Sequence, residues 1–442
     1  MTPTQPGLPL EIVGAAEEDF ASDAMRKASR RLLPFLFVLY VAAFLDRVNV
    51  GFAQLQMKQA LGFGDAVYGL GTGIFFIGYF LFEVPSNLLL ARMGARVWIA
   101  RIMITWGVIS AAMALVRTPT SFYALRFLLG VAEAGFFPGI IYYLGGWFPA
   151  ERRAFAVSRF MTAIPIAGIV GGPLSGALFM LDGAGGVAGW QWIFLGEGLP
   201  SVVLGIVVLC TLPNRPEDAR WLSPAERECL AGRIRAEAAR VSTCGHTTVR
   251  QALLHPMVWR LSFLLFPMLV GLYTISFWLP QLVQGFTGLG NVEVAVISAI
   301  PYVTAAATMV VVGSHSDRTG ERCLHIAVAI AVGAAGMAFS AYARSPVSGV
   351  LALSLAAAGI LSGNPIAWAL PTTFLSGTAA AGAIGLINSI ANLGGFIGPY
   401  LIGSVHEETG SFAAGLLIVA ALMMCTSVQA LALHRSPLNR YG

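Results

Sequence analysis

The stretch Gly313-Ser314-His315-Ser316-Asp317-Arg318-Thr319-Gly320-Glu321-Arg322 is a short polar interlude between two long apolar runs. Its last five residues repeat the pattern of Arg92-Met93-Gly94-Ala95-Arg96, which lies 226 positions earlier. The same interval of 226 separates Gly168, Gly172 and Pro173 from Gly394, Gly398 and Pro399. One constant offset at two distant places marks a parallel duplication. Two like halves built of apolar runs predict a membrane protein with its working site between the halves, near the middle of the bilayer.

Composition agrees with that reading. Of 442 residues, 57% are hydrophobic and 11% are charged, against roughly a quarter charged in soluble domains. Lipid is therefore the solvent for most of the chain. A run of about 20 apolar residues crosses the hydrocarbon. The sequence holds twelve such runs: 32–54, 67–91, 97–116, 121–147, 155–181, 191–212, 258–284, 293–314, 324–343, 348–374, 383–404 and 411–433. The predicted fold is all-α and integral to the membrane, with twelve transmembrane helices in two six-helix pseudo-repeats, 32–212 and 258–433. The polar segment 213–257 is expected as a central loop, residues 1–31 as a disordered tail and 434–442 as a second tail. Both tails and the loop are placed in the cytoplasm by the distribution of basic residues. Arg26, Lys27, Arg30, Arg31, Arg92, Arg96, Arg152, Arg153, Arg318, Arg322, Arg435 and Arg440 fall on one face with the loop, while the opposite gaps carry only Lys58, Arg117 and Arg344.

The same residues exclude several classes of function. Net charge is +5, yet the only lysines are Lys27 and Lys58, and without a basic stripe interleaved with aromatics no nucleic-acid partner is expected. Cys210, Cys229, Cys244, Cys323 and Cys425 show no CxxC spacing, so neither a disulfide nor a metal site is expected. Neither lysine follows a glycine, which excludes the phosphate-cradling loop of a nucleotide-driven pump. No GxSxG occurs, and His406-Glu407-Glu408-Thr409-Gly410 lacks the second histidine of a zinc helix, so no enzyme is expected.

Gly313 to Arg322 resembles the cytoplasmic loop signature of the major facilitator superfamily, with Asp317, Arg318 and Arg322 in its charged positions. Such a loop ties adjacent helix ends by charge and opens when the halves rock. Arg92 and Arg96 form a degenerate first copy, with Ala91 where the acid would stand. These five charged residues are the candidate gating set. Phe44-Leu45-Asp46-Arg47-Val48-Asn49-Val50-Gly51-Phe52-Ala53 and the segment Arg126 to Gly135, with Glu133, resemble the first and fourth spans of the anion:cation symporter family, and Gly394 to Pro399 its eleventh. That family includes bacterial tartrate, phthalate and sugar-acid permeases. The resemblance implies proton-coupled symport of a small organic carboxylate by alternating access in a bacterial inner membrane. Positions matching Asp46 and Glu133 would carry the coupling proton, and those matching Arg47 and Arg126 would contact the anion. The implied partners are that anion and the bilayer. The protein is expected to be a monomer whose only cofactor is the proton.

The residues support a site without the resemblance. Charges inside a span cost several kcal/mol unless they face a cavity or a partner. Asp46, Arg47, Glu83, Arg126 and Glu133 all lie within first-half spans, while second-half spans are nearly free of charge away from their ends. At about 1.5 Å per residue, Arg47 and Arg126 share a level about 8 Å below the arginine-poor boundary, and Glu133 lies about 10 Å deeper. Two planar forks at one level suit a carboxylate. Asp46 and Arg47 point about 100° apart, so one faces the cavity and the other the bundle. Tyr273 occupies the repeat position of Arg47, 226 residues on, and is expected across the cavity with Asn392 and Tyr79 near the midplane. Glu83, before Pro85, is expected to be structural or to form a gate, and Asn364-Pro365 to break the tenth span beside Trp368. Whether the anion is a hydroxy, sugar or aromatic acid stays open, as does a facilitator or antiporter of such anions on the same fold.

Overall fold

The computed structural model describes residues 10–243, 254–374 and 377–434. Residues 1–9, Cys244 with the end of the central loop, and 435–442 of the C-terminal tail lie outside that set. Among the described residues there is no strand, and twelve helices are long and apolar enough to cross a membrane. These are spans 1 to 12: Ser22–Leu61, Asp65–Met93, Ala95–Leu115, Pro119–Gly145, Phe155–Phe179, Gly189–Thr211, Pro256–Thr287, Asn291–Thr319, Cys323–Ser340, Pro346–Pro371, Ala383–Thr409 and Ala413–His434.

The duplication seen in the sequence is visible in the packing. Spans 3 and 6 pack together, as do 9 and 12; span 2 lies on span 4, and span 8 on span 10. Between the halves span 2 packs on span 11 and span 5 on span 8, which exchange under the repeat. The glycines of the paired motif also correspond. Gly94 and Gly320 close spans 2 and 8 with φ of 87° and 67°, a region that glycine enters without the clash of a Cβ. Span 7 is the most enclosed, with 89% of its apolar window buried. Leu81, Phe82, Leu88, Val203, Val311 and Phe339 are instead exposed, as the lipid-facing side of a bundle requires.

Three expectations are corrected. Residues 10–31, expected as a disordered tail, are helix running without interruption into span 1, from Leu10 to Val48. About half of the expected central loop is a helix as well, Pro224–Thr243. The two corrections share a cause, because this linker helix packs on the extension of span 1, where Ala24, Ala28 and Leu32 are buried. Ser223 and Glu226 cap the linker helix reciprocally: Ser223 N–H donates to Glu226 Oε2 at 2.8 Å and Glu226 N–H to Ser223 Oγ at 3.3 Å. Lys27 Nζ then donates to Glu226 Oε1 at 2.6 Å. The third correction is Asn364-Pro365, where helix continues from Pro346 to Phe374. A proline inside a span is tolerated when neighbours enclose the carbonyl it frees, and Leu361, Asn364 and Ile366 are all buried.

Interruptions fall elsewhere. Spans 1, 5, 8 and 11 hesitate at Asn49, Thr162, Ser298 and Leu393, each of which keeps helical dihedrals. Span 4 alone among these breaks fully, at Ala134 (φ −52°, ψ 131°) and Gly135 (φ 86°).

Candidate functional site

The break in span 4 follows Glu133 directly, and Arg47 stands in the last turn of helix before Asn49. Glu133 therefore projects from a helix end inside the bundle, while the backbone of span 1 continues helical through Asn49, whose N–H donates to the Leu45 carbonyl at 2.9 Å. The Arg47 and Glu133 side chains meet. Arg47 Nε donates to Glu133 Oε1 at 2.9 Å, and Arg47 Nη2 donates to the same oxygen. From the second half, Tyr273 OH accepts from Arg47 Nη1 at 3.2 Å and donates to Asn392 Oδ1 at 3.1 Å. The guanidinium of Arg47 lies 5.4 Å from the ring centre of Tyr79 and 5.6 Å from that of Phe75, both distances at which a cation is attracted to an aromatic face. Arg47, Tyr79, Glu133, Tyr273 and Asn392 are all buried. The site is closed in this conformation.

Arg126 borders the same ring, its guanidinium 5.0 Å from the centre of Phe75. Its Nε and Nη2 donate to the carbonyls of Gly71 and Thr72 at 3.3 Å each. Its Nη1 is buried with no hydrogen-bond partner. Buried cationic N–H groups are nearly always paired, which sets this one apart, beside an arginine already claimed by a carboxylate.

The structure brings Arg47, Arg126, Tyr79, Tyr273, Asn392 and Glu133, all named from the sequence, to one place, with one difference. The depth estimate put Glu133 well below Arg47, but the long guanidino arm reaches it. Of the adjacent pair, Asp46 is the member that faces away from the cavity. It turns into the bundle, where Asn49 Nδ2 donates to Asp46 Oδ1 at 3.0 Å and Ser110 of span 3 donates to the same atom.

Two further clusters join the halves. Glu83 of span 2 accepts from Asn388 Nδ2 and, at 2.9 Å, from Ser389 Oγ of span 11. At the arginine-poor face Lys58 donates to Asp65 and to Gln281 Oε1 at 3.1 Å, while His406 Nδ1 lies 2.8 Å from Asp65 Oδ2. This cluster fastens spans 1 and 2 to spans 7 and 11. Its only signal in the sequence was Lys58, standing nearly alone on an arginine-poor side. Glu197 of span 6 was also missed, although a charge inside an apolar run was there to find; it accepts from Ser175 Oγ at 3.1 Å. At the arginine-rich face Asp317 and Arg322 approach to 3.4 Å across the turn between spans 8 and 9, with the Asp317 side chain 71% exposed. An ion pair so exposed contributes little stability. Arg92, Arg96 and Arg318 are exposed, and the backbone N–H of Arg96 donates to Asn214 Oδ1 at 2.9 Å.

Comparison with known proteins follows the same lines. A protein of Agrobacterium vitis, provisionally named a tartrate transporter, is 51% identical over 423 residues, covering 96% of this chain and 94% of its own. The quinolone resistance transporter of Acinetobacter baumannii is 42% identical over 92% of this chain and 94% of its own. Among solved structures, a bacterial homolog of the human lysosomal transporter Spinster, in an inward-facing and occupied conformation, superposes with a TM-score of 0.73 at 17% identity, covering 93% of this chain and 98% of that one. That likeness concerns the fold alone. The Major Facilitator Superfamily profile matches residues 36–399. A match of that length, on a chain folded as twelve spans in two halves, means that this protein belongs to the Major Facilitator Superfamily and is a transporter, not an enzyme.

Proposed function

We propose that the protein is a proton-coupled symporter that takes up small organic carboxylates by alternating access. It would work as a monomer in a bacterial inner membrane, with both termini in the cytoplasm and the proton as its only coupling ion. One observation carries the reading: between the halves, Arg47 is held by Glu133 while Arg126, against the same phenyl ring, keeps a buried N–H unpaired. With Glu133 ionised, Arg47 is occupied. A proton on Glu133 frees the guanidinium, and a substrate carboxylate then takes its place between Arg47 and Arg126. Anion and proton thus load together, and the buried charge remains balanced while the halves rock. Tyr273 and Asn392 bring the second half to the bound anion, so that closure follows occupancy. The relative named for tartrate transport supports a dicarboxylate of that kind.

The test is uptake of labelled tartrate into proteoliposomes carrying the full-length chain. With the lumen alkaline, tartrate should accumulate above the external concentration and drain when a protonophore is added. Equilibration without accumulation would make the protein a facilitator. Uptake only into vesicles preloaded with tartrate would make it an antiporter.

A further inference from the structure

Glu83 has no part in the anion site, yet it is joined to it. Arg47 Nη1 donates to Tyr273 OH; Tyr273 OH donates to Asn392 Oδ1; Asn392 Nδ2 donates to Asn388 Oδ1 at 3.0 Å; and Asn388 Nδ2 donates to Glu83 Oε1. Every bond in this chain runs in one sense, from a guanidinium to a carboxylate. It leaves the first half at span 1, crosses spans 7 and 11 of the second half, and returns to the first half at span 2. Arg47, Tyr273, Asn392, Asn388 and Glu83 are all buried, where aligned hydrogen bonds strengthen one another.

The sense of the chain defines the state of its end. Oε1 of Glu83 accepts from Asn388 and Oε2 from Ser389. A carboxyl group with both oxygens accepting is ionised. A protonated Glu83 would have to donate, either from Oε2 to Ser389 Oγ with the serine hydroxyl turned away, or from Oε1 to Asn388 with its amide turned, which gives up the bond from Asn392. Among the described residues, the ionisable groups that face Glu83 are Arg47 of span 1, Tyr79 of its own span and Tyr273 of span 7. Span 11 presents to it the neutral Asn388 and Ser389.

We propose that Glu83 is a further proton-linked positioning residue of the transport cycle, ionised while spans 2 and 11 are joined and coupled through Asn388, Asn392 and Tyr273 to the occupancy of Arg47. The inference rests on the reading of Arg47 as an anion ligand. When a substrate carboxylate between Arg47 and Arg126 also draws on Arg47 Nη1, the donor to Tyr273, that hydroxyl loses its donor and turns toward the anion. Asn392 and Asn388 are released in turn. Glu83 thereby loses an ordered donor to its carboxylate, a change that favours a proton on Glu83. The protonated side chain holds Asn388 and Ser389 less strongly than the carboxylate does, so the join between spans 2 and 11 loosens in the loaded transporter.

Two measurements on the full-length protein in lipid test this. Infrared difference spectra between acid and alkaline pH need no substrate: a titrating carboxyl band should be lost in Glu83→Gln, and an unchanged spectrum overturns the proposal whatever the substrate proves to be. Proton uptake on adding tartrate in weak buffer tests the coupling. The unaltered protein should take up more protons per tartrate than Glu83→Gln, whose affinity should lose up to about a tenfold change per pH unit. Ser389→Ala keeps the carboxylate but removes a donor to it, so it should keep the proton count and move its midpoint to higher pH. Equal proton uptake in Glu83→Gln and the unaltered protein, or loss of uptake in Ser389→Ala matching that in Glu83→Gln, reduces Glu83 to a structural contact. Absence of tartrate binding in the unaltered protein refutes the anion reading and the coupling with it, while the infrared spectra still decide whether Glu83 titrates.

Discussion

Replacing Glu133 by glutamine should tighten substrate binding and abolish its use. In the structure Arg47 directs two N–H groups at one Glu133 oxygen, and a substrate carboxylate has to displace them. A hydrogen bond to a charged group contributes about 1.5–3 kcal/mol and a neutral one about 0.5–1.5. Exchanging two of the first kind for two of the second lowers the hold on Arg47 by about 2 kcal/mol, and at 1.4 kcal/mol per decade tartrate should bind roughly thirtyfold tighter. The pH dependence has a definite sign. On the proposed mechanism, rising pH should remove the proton from Glu133, return Arg47 to it and weaken tartrate binding in the unaltered protein. In Glu133→Gln that contribution is absent and the affinity profile flattens toward its acid limit. Titration calorimetry across pH gives the affinities, and proteoliposome uptake with the lumen alkaline gives the coupling. Glu133→Gln should exchange tartrate but fail to accumulate it. An unchanged affinity at every pH, or accumulation equal to that of the unaltered protein, would remove Glu133 from the coupling mechanism.

Four other outcomes are expected. Arg126→Lys loses the fork that holds the carbonyls of Gly71 and Thr72 and offers its third arm to the anion; at about 1–3 kcal/mol for the unmade bonds, tartrate affinity should fall by about fivefold or more in calorimetry while the protein remains monodisperse in detergent. Asp46→Asn, whose side chain touches Asn49 and Ser110 and not Arg47, should leave tartrate affinity and its pH slope close to those of the unaltered protein, yet lose accumulation; a flattened slope would show that Asp46 acts on Arg47 after all. Gly135→Ala places a Cβ at a φ of 86°, a strain of about 1–2 kcal/mol that should lower the thermal unfolding midpoint in detergent, whereas an unchanged midpoint would mean that the break in span 4 shifts freely. The Lys27 ammonium and the Ser223 N–H hold the Glu226 carboxyl below its usual range; the stabilisation of the linker helix by Glu226 is therefore present above the ordinary glutamate range near pH ~4 and lost as pH falls through the depressed value. Proteolysis within 213–257 should accelerate across that acid window in the unaltered protein, and in Lys27→Ala it should be faster above the window while still accelerating across it, because the Ser223 cap remains.

Much of this molecule is legible in one dimension. Apolar runs locate the spans because the bilayer sets their length, and a constant offset of 226 reveals the duplication without any contact being known. The offset even places Tyr273 opposite Arg47, where the structure finds them bonded, because a pseudo-symmetric bundle carries equivalent residues to equivalent heights. Charges inside apolar runs name Asp46, Arg47, Glu83, Arg126 and Glu133, since lipid does not tolerate them idly. Which of these charges meet is a different kind of information. Rise per residue gives depth but not azimuth, and azimuth depends on tilt, on the break at Ala134 and Gly135, and on which span lies alongside. Hence only the tertiary structure turned Asp46 toward Ser110, closed Arg47 onto Glu133 and laid Glu83 against Asn388 and Ser389 of the other half. The helix at 10–31 follows the same rule: a segment rich in acids, preceded by Pro3, Pro6 and Pro9, reads as disordered until the linker helix, held by Ser223, Glu226 and Lys27, gives it a surface to fold on.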